Sequence, residues 1–388
     1  MRLCSFGPKL LCAFLLLFLA PSLSFAQVRT GVTVDCTGAT PGAFTSLSQA
    51  IIDSSDHTTF AVTGTCNENG VQIRSRNDLV IIGNPTATIQ TLQPDLPLIS
   101  VQSSQGIQFS NVTMNGGQGL LVSNSSGIAI FSCTIENSGT FGINSSNSQV
   151  LFISGSVTAN NRTGVVTSGG TMELAGVNVS NNGRLGVSSA TTHLIMTDGN
   201  GAPTIVNNNG IAGVQLSNSS QGDFADLQIT NNAGNNFGLQ VFTNSAMVMQ
   251  GGSITGNTGM GVNCGSIAHC EFFQTQISGN FSGGIQVSTH SELDLDGGVQ
   301  ISGNQGVGVL IDQHSAFASS GGNTISNNTG DGLIVNALST LDFVAPDIIS
   351  ATAGNLALNC NNGSMVTGDI STYKPKRCGT AFQAVPTH

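Results

Sequence analysis

The sequence predicts an all-β chain wound as a parallel β-helix, and a fixed repeat and a regular alternation support this. The repeat is clearest in four lines that begin at Ile254, Ile277, Ile301 and Ile325 and read ITGNTGMGVNCG, ISGNFSGGIQVS, ISGNQGVGVLID and ISNNTGDGLIVN. Their offsets are 23, 24 and 24 residues. A period in this range is typical of a solenoid, whose coils bury their apolar faces on one another.

The composition agrees with a repeat protein of low charge. The chain has 388 residues, of which 50 are Gly and 8% are charged, so Ser, Thr, Asn and Gly must form much of the surface. A mean hydropathy of +0.16 argues against disorder. A continuous repeat favours one elongated domain over several globular ones.

Within each coil, a Gly opens an apolar-polar-apolar strand, a second alternating run follows, and the apolar residue of the ISxN line forms a third strand. Alternation puts one side chain in the core and the next in solvent. Three strands per coil give a triangular rod with three parallel sheets. Since coils stack ~4.8 Å apart, ten to twelve coils make a rod roughly 50–60 Å long.

The first residues read as a secretory signal peptide. Residues 1–26 combine Arg2 and Lys9 with the apolar run Leu10–Leu19 and the small-x-small site Ser24-Phe25-Ala26. We therefore expect a secreted protein, extracellular or periplasmic, with no membrane span after the signal is removed. Removal leaves 8 basic and 20 acidic residues, a net charge of −12, which argues against a nucleic-acid partner.

The remaining cysteines fit an oxidising compartment. Seven of the nine lie beyond the signal peptide. Six of them suggest the disulfides Cys36–Cys66, Cys264–Cys270 and Cys360–Cys378. The seventh, Cys133, is predicted to be a buried thiol.

The two ends of the repeat need caps, because a solenoid end exposes backbone groups and apolar core. Phe44–Ile52 has apolar residues at helical spacing and predicts an amphipathic cap helix. The predicted organisation is a signal peptide at 1–26, a strand and cap helix at 27–78, the β-helix at 79–367 and a C-terminal cap at 368–388.

The opening of the chain resembles a known superfamily. VTVDC, the helix containing LSQAI, FAVTGTCNE and LVIIGNPTATI are similar to the N-terminal part of right-handed parallel β-helix proteins of the pectin-lyase-like superfamily. The resemblance implies a right-handed helix. It leaves the activity open, because the superfamily holds lyases, hydrolases, esterases, epimerases and phage tailspikes.

Asparagine recurs at the fourth place of the ISxN line, where stacked side chains can donate to one neighbour and accept from the other. Ser138 interrupts the series. A structural ladder is favoured over an Asn-lined sugar site, and its predicted members are Asn160, Asn182, Asn208, Asn232, Asn257, Asn280, Asn304 and Asn328.

Outward carboxylates mark one candidate site. Glu271 and Asp294 occupy comparable places in successive coils, and Asp296 lies two residues beyond. Like charges this close repel unless a cation or a proton lies between them. Calcium, which takes oxygen ligands, is one candidate cofactor, although no cofactor is certain. The alternative is a solvated acidic stripe.

A second candidate site contains histidines. His290 and His314 each follow their coil's Gly by six residues and should stack, while Asp312 and Glu292 lie two residues away on the same faces. Histidine beside a carboxylate is the usual make-up of an acid–base site. We therefore assign His290, His314, Asp294 and Asp312 as candidate catalytic residues; the alternative is an exposed pair with no role.

Substrate contacts are predicted from polar residues on the same coils. Arg162 and Arg184 share a register and could clamp a carboxylate or sulfate. The candidate substrate-binding residues are Glu271, Asp296, Gln286, Arg162 and Arg184.

Two function hypotheses follow. The first is a protein that binds or processes polysaccharide on an outward sheet face, with a lyase, hydrolase or epimerase-like activity if it is an enzyme. The second is a non-catalytic structural or adhesive rod at the cell envelope. The superfamily's hydrolase motifs are absent: there is no Asp-Asp pair and no Gly-His-Gly. Whether the protein is an enzyme, and its oligomeric state, are open at this stage.

Overall fold

The computed structural model describes residues 29–91, 93–234, 237–368 and 370–378. They form a parallel β-solenoid of about 13 turns, slightly more than the ten to twelve predicted. Each strand pairs in parallel with the equivalent strand of the next coil, as in Ile254↔Ile277 and Ile277↔Ile301. The predicted signal peptide at 1–26 lies outside the described residues. Within them, no helix is both long and apolar enough to cross a membrane.

Within the described ranges, the secondary structure consists of one helix and 35 strands. In chain order these are β1 Thr30–Asp35, α1 Leu47–Asp53, β2 Thr58–Asn67, β3 Val71–Arg74, β4 Val80–Thr91, β5 Ile99–Gln102, β6 Gln108–Gly116, β7 Leu120–Ser123, β8 Ile128–Phe131, β9 Thr134–Glu136, β10 Ile143–Thr158, β11 Val165–Ser180, β12 Leu185–Ala190, β13 His193–Thr197, β14 Ile205–Asn207, β15 Ala212–Ser217, β16 Gln221–Ala225, β17 Gln228–Thr230, β18 Leu239–Phe242, β19 Ala246–Gln250, β20 Ser253–Thr255, β21 Met260–Gly265, β22 His269–Phe273, β23 Gln276–Ser278, β24 Gly283–Ser288, β25 Glu292–Leu295, β26 Gln300–Ser302, β27 Val307–Ile311, β28 Ala316–Ser319, β29 Thr324–Ser326, β30 Leu333–Val335, β31 Thr340–Phe343, β32 Ile348–Ile349, β33 Leu358–Cys360, β34 Met365–Thr367 and β35 Lys376–Arg377.

Helix α1 covers the N-terminal end of the core. Leu47, Ala50 and Ile51 are buried, as an amphipathic cap requires. The helix starts later than the predicted Phe44 because Ser46 is its N-cap, whose Oγ accepts a hydrogen bond from the Gln49 amide at 3.3 Å. The Glu68 carboxylate accepts from the Leu47 amide at 2.6 Å and ties this helix end to the first coil.

The coils are triangular, and each side contributes to one parallel sheet. We call the sheets first, second and third after the order of their strands within a coil. Inward side chains of successive coils stack directly: Ile254, Ile277, Ile301 and Ile325 are all fully buried. This confirms that residues about two dozen positions apart are vertical neighbours.

The Asn ladder is present at the corner that follows the third strand, with one correction. The Asn182 side chain donates to Asn209 Oδ1 at 2.9 Å, and Asn209 donates to Asn232 Oδ1 at 2.9 Å. The prediction of Asn208 was wrong: Asn208 is exposed, with φ 54°, and lies in the turn. The inward residue of this coil is Val206, which fixes the ladder position three residues later.

The remaining ladder pairs have the same geometry. Each Asn side chain donates to the carbonyl oxygen of the next Asn side chain at 2.9–3.0 Å, and this oxygen also accepts from a backbone amide. Ser138 begins the column, its amide donating to Asn160 Oδ1 at 3.0 Å. The confirmed members are Asn160, Asn182, Asn232, Asn257, Asn280, Asn304 and Asn328, together with Asn209.

A second ladder, of serines, lies at the corner between the first and second strands and was missed by the sequence analysis. The Ala268 amide donates to Ser291 Oγ at 3.0 Å, and the Ser291 amide donates to Ser315 Oγ at 3.3 Å. The Ser315 amide in turn donates to Ser339 Oγ at 3.1 Å. Since these serines immediately precede the second strands, the ladder fixes the height at which each second strand begins.

The cysteine predictions are confirmed. The structure contains the disulfides Cys36–Cys66, Cys264–Cys270 and Cys360–Cys378, and Cys133 is a buried free thiol. Burial raises the pKa of Cys133 to about 11. The thiolate needed for alkylation is therefore scarce at neutral pH, and the sulfur is also inaccessible.

We expect Cys133 of the native protein to resist a maleimide at pH 7. Protein that lacks residues 1–26 should take up one label after denaturation without reductant, because the other six cysteines are in disulfides. Intact-mass measurement checks both values, and Cys133→Ala is the control that should take up none. Rapid labelling of the native protein would contradict the buried position.

Candidate functional site

Ionisable side chains converge on the outward face of the second sheet, which we call the second face. In β22 the side chains of His269, Glu271 and Phe273 point outward, while Cys270 and Phe272 are fully buried. The next strand repeats the pattern. In β25, Glu292 and Asp294 point outward, and Leu293 and Leu295 are fully buried.

The parallel register places the two strands' polar residues side by side. His269 pairs with Glu292, and Glu271 pairs with Asp294. Their distance along the rod is therefore one coil, about 4.8 Å. Asp296 follows at the end of β25 and completes the group. We call His269, Glu271, Glu292, Asp294 and Asp296 the acid–base cluster.

His269 is the centre of this cluster. Its Nδ1 lies 3.4 Å from Glu292 Oε2, and its Nε2 lies 3.8 Å from Asp294 Oδ2 and 3.9 Å from Glu271 Oε2. The imidazole is 35% exposed, and the side chains of Glu271 and Asp294 are 25% and 27% exposed. Solvent can therefore reach all three groups.

These contacts shift the ionisation of the cluster in opposite directions. The carboxylates of Glu271, Asp294 and Glu292 raise the pKa of His269 against the opposing effect of burial. The His269 side chain lowers the pKa of Glu271. Burial raises the pKa of Asp294 to about 6, and burial also raises that of Asp296. Two neighbouring carboxyls therefore differ in protonation about one pH unit below the pKa of Asp294, where Glu271 is ionised and Asp294 largely carries a proton.

The scaffold beneath the cluster is rigid. Cys270, which lies between His269 and Glu271, is joined to Cys264 of the preceding strand β21 by a disulfide. Ser291, immediately before Glu292, belongs to the serine ladder. The backbone of both strands is thus fixed on each side of the cluster.

His269, Glu292 and Asp294 also offer a set of possible metal ligands. One atom from each lies within 4.8 Å of the other two. A nitrogen with two carboxylate oxygens suits a transition metal such as zinc better than calcium, which takes six to eight oxygens. The donor set of these three residues therefore does not favour the calcium predicted from the carboxylates.

A separate His–Asp pair lies further along the second face. His193 Nε2 in β13 is 2.6 Å from Asp223 Oδ2 in β16, and both side chains are partly exposed. The hydrogen bond to Asp223 raises the pKa of His193. Asp223 occupies the same column as Glu271, two coils away, with Val248 between them.

The predicted histidines lie elsewhere. His290 and His314 stack as expected, with ring centroids 5.2 Å apart and an interplanar angle of 6°, but they are exposed in the turn before the second strands, with φ 61° and 62°. Among the described residues, the histidine within 4.0 Å of Asp294 is His269. Asp312 accepts a hydrogen bond from the Gln313 amide at 2.9 Å. The structure therefore places His269 beside Asp294 and leaves His290 and His314 at the corner, and the roles predicted for His290, His314 and Asp312 stay predictions.

The predicted substrate-binding residues divide between faces. Glu271 and Asp296 belong to the acid–base cluster. Gln286 points outward from the first sheet, between Asn263 and Leu310. Arg162 and Arg184 are exposed one coil apart at the corner after the Asn ladder, where the Arg184 amide donates to the Arg162 carbonyl at 2.8 Å. The coil of Arg184 is three pairings away from the strand that carries Glu271.

Sequence reasoning missed His193, Asp223 and His269. His269 was detectable, because it lies two residues before Glu271 and 23 before Glu292. Asp223 was obscured by Gly222, which takes an inward place where an apolar residue was expected. Gly222 leaves room for the ends of the Leu216 and Phe224 side chains, which would lie 2.7 Å from an added Cβ and would have to shift.

Comparison with known proteins agrees with the fold. A family model described as "Right handed beta helix region" matches residues 97–235. No curated protein matches the sequence. Solved structures with some likeness include the A-module of the Azotobacter vinelandii mannuronan C-5 epimerase AlgE4, at 12% identity, TM-score 0.49 and coverage of 87% of this chain and 93% of that one.

Two further solved structures are similar at lower scores. Pectate lyase Pel9A has 14% identity and a TM-score of 0.38, with 79% of this chain and 80% of that chain covered. The catalytic domain of a GH87 alpha-1,3-glucanase has 12% identity and a TM-score of 0.34, with 95% of this chain and 70% of that chain covered. The family-model match over residues 97–235 and the parallel coils together support the predicted right-handed parallel β-helix.

Proposed function

We propose that this β-helix binds a polysaccharide along the second face and cleaves its glycosidic bonds at the acid–base cluster. The observation that carries the proposal is the juxtaposition of Glu271 and Asp294 in adjacent coils around His269. Carboxyl pairs whose surroundings separate their protonation states are the usual basis of glycoside cleavage.

The opposed pKa shifts assign a role to each carboxyl. Asp294, whose pKa is about 6, is the proton donor to the leaving sugar oxygen. Glu271, whose pKa is lowered by His269, stays ionised. It either takes the proton of the water that adds to the sugar carbon as the glycosidic bond breaks, or stabilises the positive charge that develops on the sugar before this water adds. His269 is a positioning residue, because it lies within 4.0 Å of both carboxylates and lowers the pKa of Glu271.

The second face suits a long ligand. It is open, and each coil adds about 4.8 Å of surface along the rod. Ile195 and Val248 are outward neighbours of Asp223 in its column and provide apolar contacts between the charged groups. Sugar rings present both hydroxyls and apolar C–H faces, so a surface of alternating carboxylates and apolar side chains can hold successive units.

The test incubates purified protein with a panel of neutral, acidic and amine-bearing polysaccharides at pH 5.5 and measures new reducing or unsaturated ends. We expect turnover of at least one polymer, lost in Glu271→Gln. The matched control is Glu136→Gln, which removes one carboxylate from a strand of the third sheet and should retain activity.

Two results would reject the proposal. The first is equal activity in the parent and in Glu271→Gln. The second is the absence of turnover on every polymer, which would favour the non-catalytic rod; addition of calcium and of zinc to the panel ensures that a missing cation is not the cause.

A further inference from the structure

We infer that the polysaccharide recognised by the second face carries protonated amines, as a polymer of de-N-acetylated amino sugars does. The inference rests on the proposed function, because it takes for granted that a glycan lies along this face. It is drawn from the distribution of charge along the face.

The carboxylates on this face extend well beyond the acid–base cluster. Glu173 and Asp223 occupy the same outward column as Glu271 and Asp294, since Glu173 pairs with Ile195, Ile195 with Asp223, Asp223 with Val248 and Val248 with Glu271. With Glu292 and with Asp296, which directly follows β25, six carboxyl groups therefore lie along this face between β11 and the end of β25. Carboxylates aligned over this length create a negative potential that attracts cationic ligands.

Basic residues do not balance these charges. From residue 77 to residue 373 the sequence holds two Lys or Arg residues, Arg162 and Arg184. Both lie at the corner after the Asn ladder and not on the second sheet. The two histidines on the face are already engaged: His193 with Asp223, and His269 with the cluster. Even when Asp294 carries a proton, two imidazoles against the other five carboxyls leave the face negative.

This charge distribution discriminates between polysaccharide classes. A polyuronate would place its carboxylates against those of the protein, and like charges at close range are unfavourable. A neutral glycan gains hydrogen bonds and apolar contacts, but no attraction between opposite charges. Protonated amines would donate charge-assisted hydrogen bonds to the carboxylates, which are stronger than neutral ones.

The spacing of the charges indicates an oligomer and not a single sugar. Asp223 and Glu271 are two coils apart, roughly 10 Å along the axis, with Val248, a residue that is 36% exposed, between them. A ligand that reaches both carboxylates must therefore pass over Val248. Several linked amino sugars meet this requirement.

The test uses two hexasaccharides with the same backbone: glucosamine hexamer, which is cationic at pH 5.5, and its fully N-acetylated form, which is neutral. A galacturonate hexamer serves as the acidic probe. Binding is measured by calorimetry with the full protein in Glu271→Gln form, so that turnover does not consume the ligand. We expect the amine hexamer to bind at least tenfold more tightly than the acetylated one and to weaken with added salt.

Asp223→Asn in the same background should weaken the amine hexamer about tenfold and leave the acetylated hexamer nearly unchanged, whereas Glu136→Gln should change neither. Tighter binding of the acetylated or the galacturonate hexamer, with or without calcium, would overturn the inference while leaving the proposed function intact. If no hexamer binds but the parent cleaves another polymer of the panel, the inference alone fails. If no polymer is bound or cleaved, both fail.

Discussion

Replacement of Asn209 by alanine is expected to lower the free energy of unfolding by about 3 kcal/mol or more, because it interrupts the Asn ladder in the middle of the rod. Asn209 is fully buried. Its Oδ1 accepts from the amide and the side chain of Asn182, at 3.1 and 2.9 Å, and its Nδ2 donates to the Val179 carbonyl at 3.1 Å. Alanine leaves these buried groups without partners.

The adjacent Asn208 provides the matched control for this prediction. It has the same side chain but is exposed in the turn. Asn208→Ala should cost no more than about 1–2 kcal/mol, since its φ of 54° is unfavourable for alanine. The midpoints of denaturant unfolding of the two variants measure the difference. Equal midpoints would mean that the ladder contributes little to stability.

Replacement of Asp294 by asparagine is expected to reduce turnover by about 100-fold or more, because the proposed proton donor is lost. In the parent protein the rate should fall as pH rises above about 6, where Asp294 loses its proton. It should also fall in acid as Glu271 becomes protonated. Both falls in rate are measured as initial rates from pH 4 to 8, with the polysaccharide of the panel that the protein cleaves.

The same variant should not be destabilised at pH 7, which separates loss of chemistry from loss of fold. Burial raises the folded-state pKa of Asp294 above its ordinary value of 3.8, so the protonated form is preferred in the folded protein. The stability contributed by this preference is complete below about pH 4 and is lost as pH rises through about 6. Asp294→Asn keeps a neutral side chain, and we expect it to be about 1–2 kcal/mol more stable than the parent at pH 7.

The histidine variants decide between the two assignments of the site. His269→Ala should lower turnover. It should also move the loss of rate in acid to higher pH, because His269 lowers the pKa of Glu271 in the parent protein. His290→Ala and His314→Ala, which alter exposed turn residues, should retain most activity. A rate profile that changes in His290→Ala and not in His269→Ala would restore the site predicted from the sequence.

Much of the candidate site was accessible from the sequence, and the rest was lost for identifiable reasons. Glu271, Asp294 and Asp296 were found because their strands alternate cleanly, so the outward positions could be counted. Asp223 was missed because Gly222 replaces the expected inward apolar residue. The stacking of His290 on His314 was predicted correctly. Each of them lies in a two-residue turn with positive φ, and this turn holds the side chain at the corner, away from the sheet face.

The amino-acid sequence determined the coil, the three strands per turn, the disulfides and nearly all of the ladder. These features follow from the repeat, because a spacing of about 24 residues places each residue beside the equivalent residue of the next coil. The tertiary structure decided which face each corner residue joins and which histidine meets the carboxylates. That outcome depends on side-chain contacts between coils, such as His269 with Asp294, and on single-residue shifts such as Asn208 to Asn209, which a period alone does not specify.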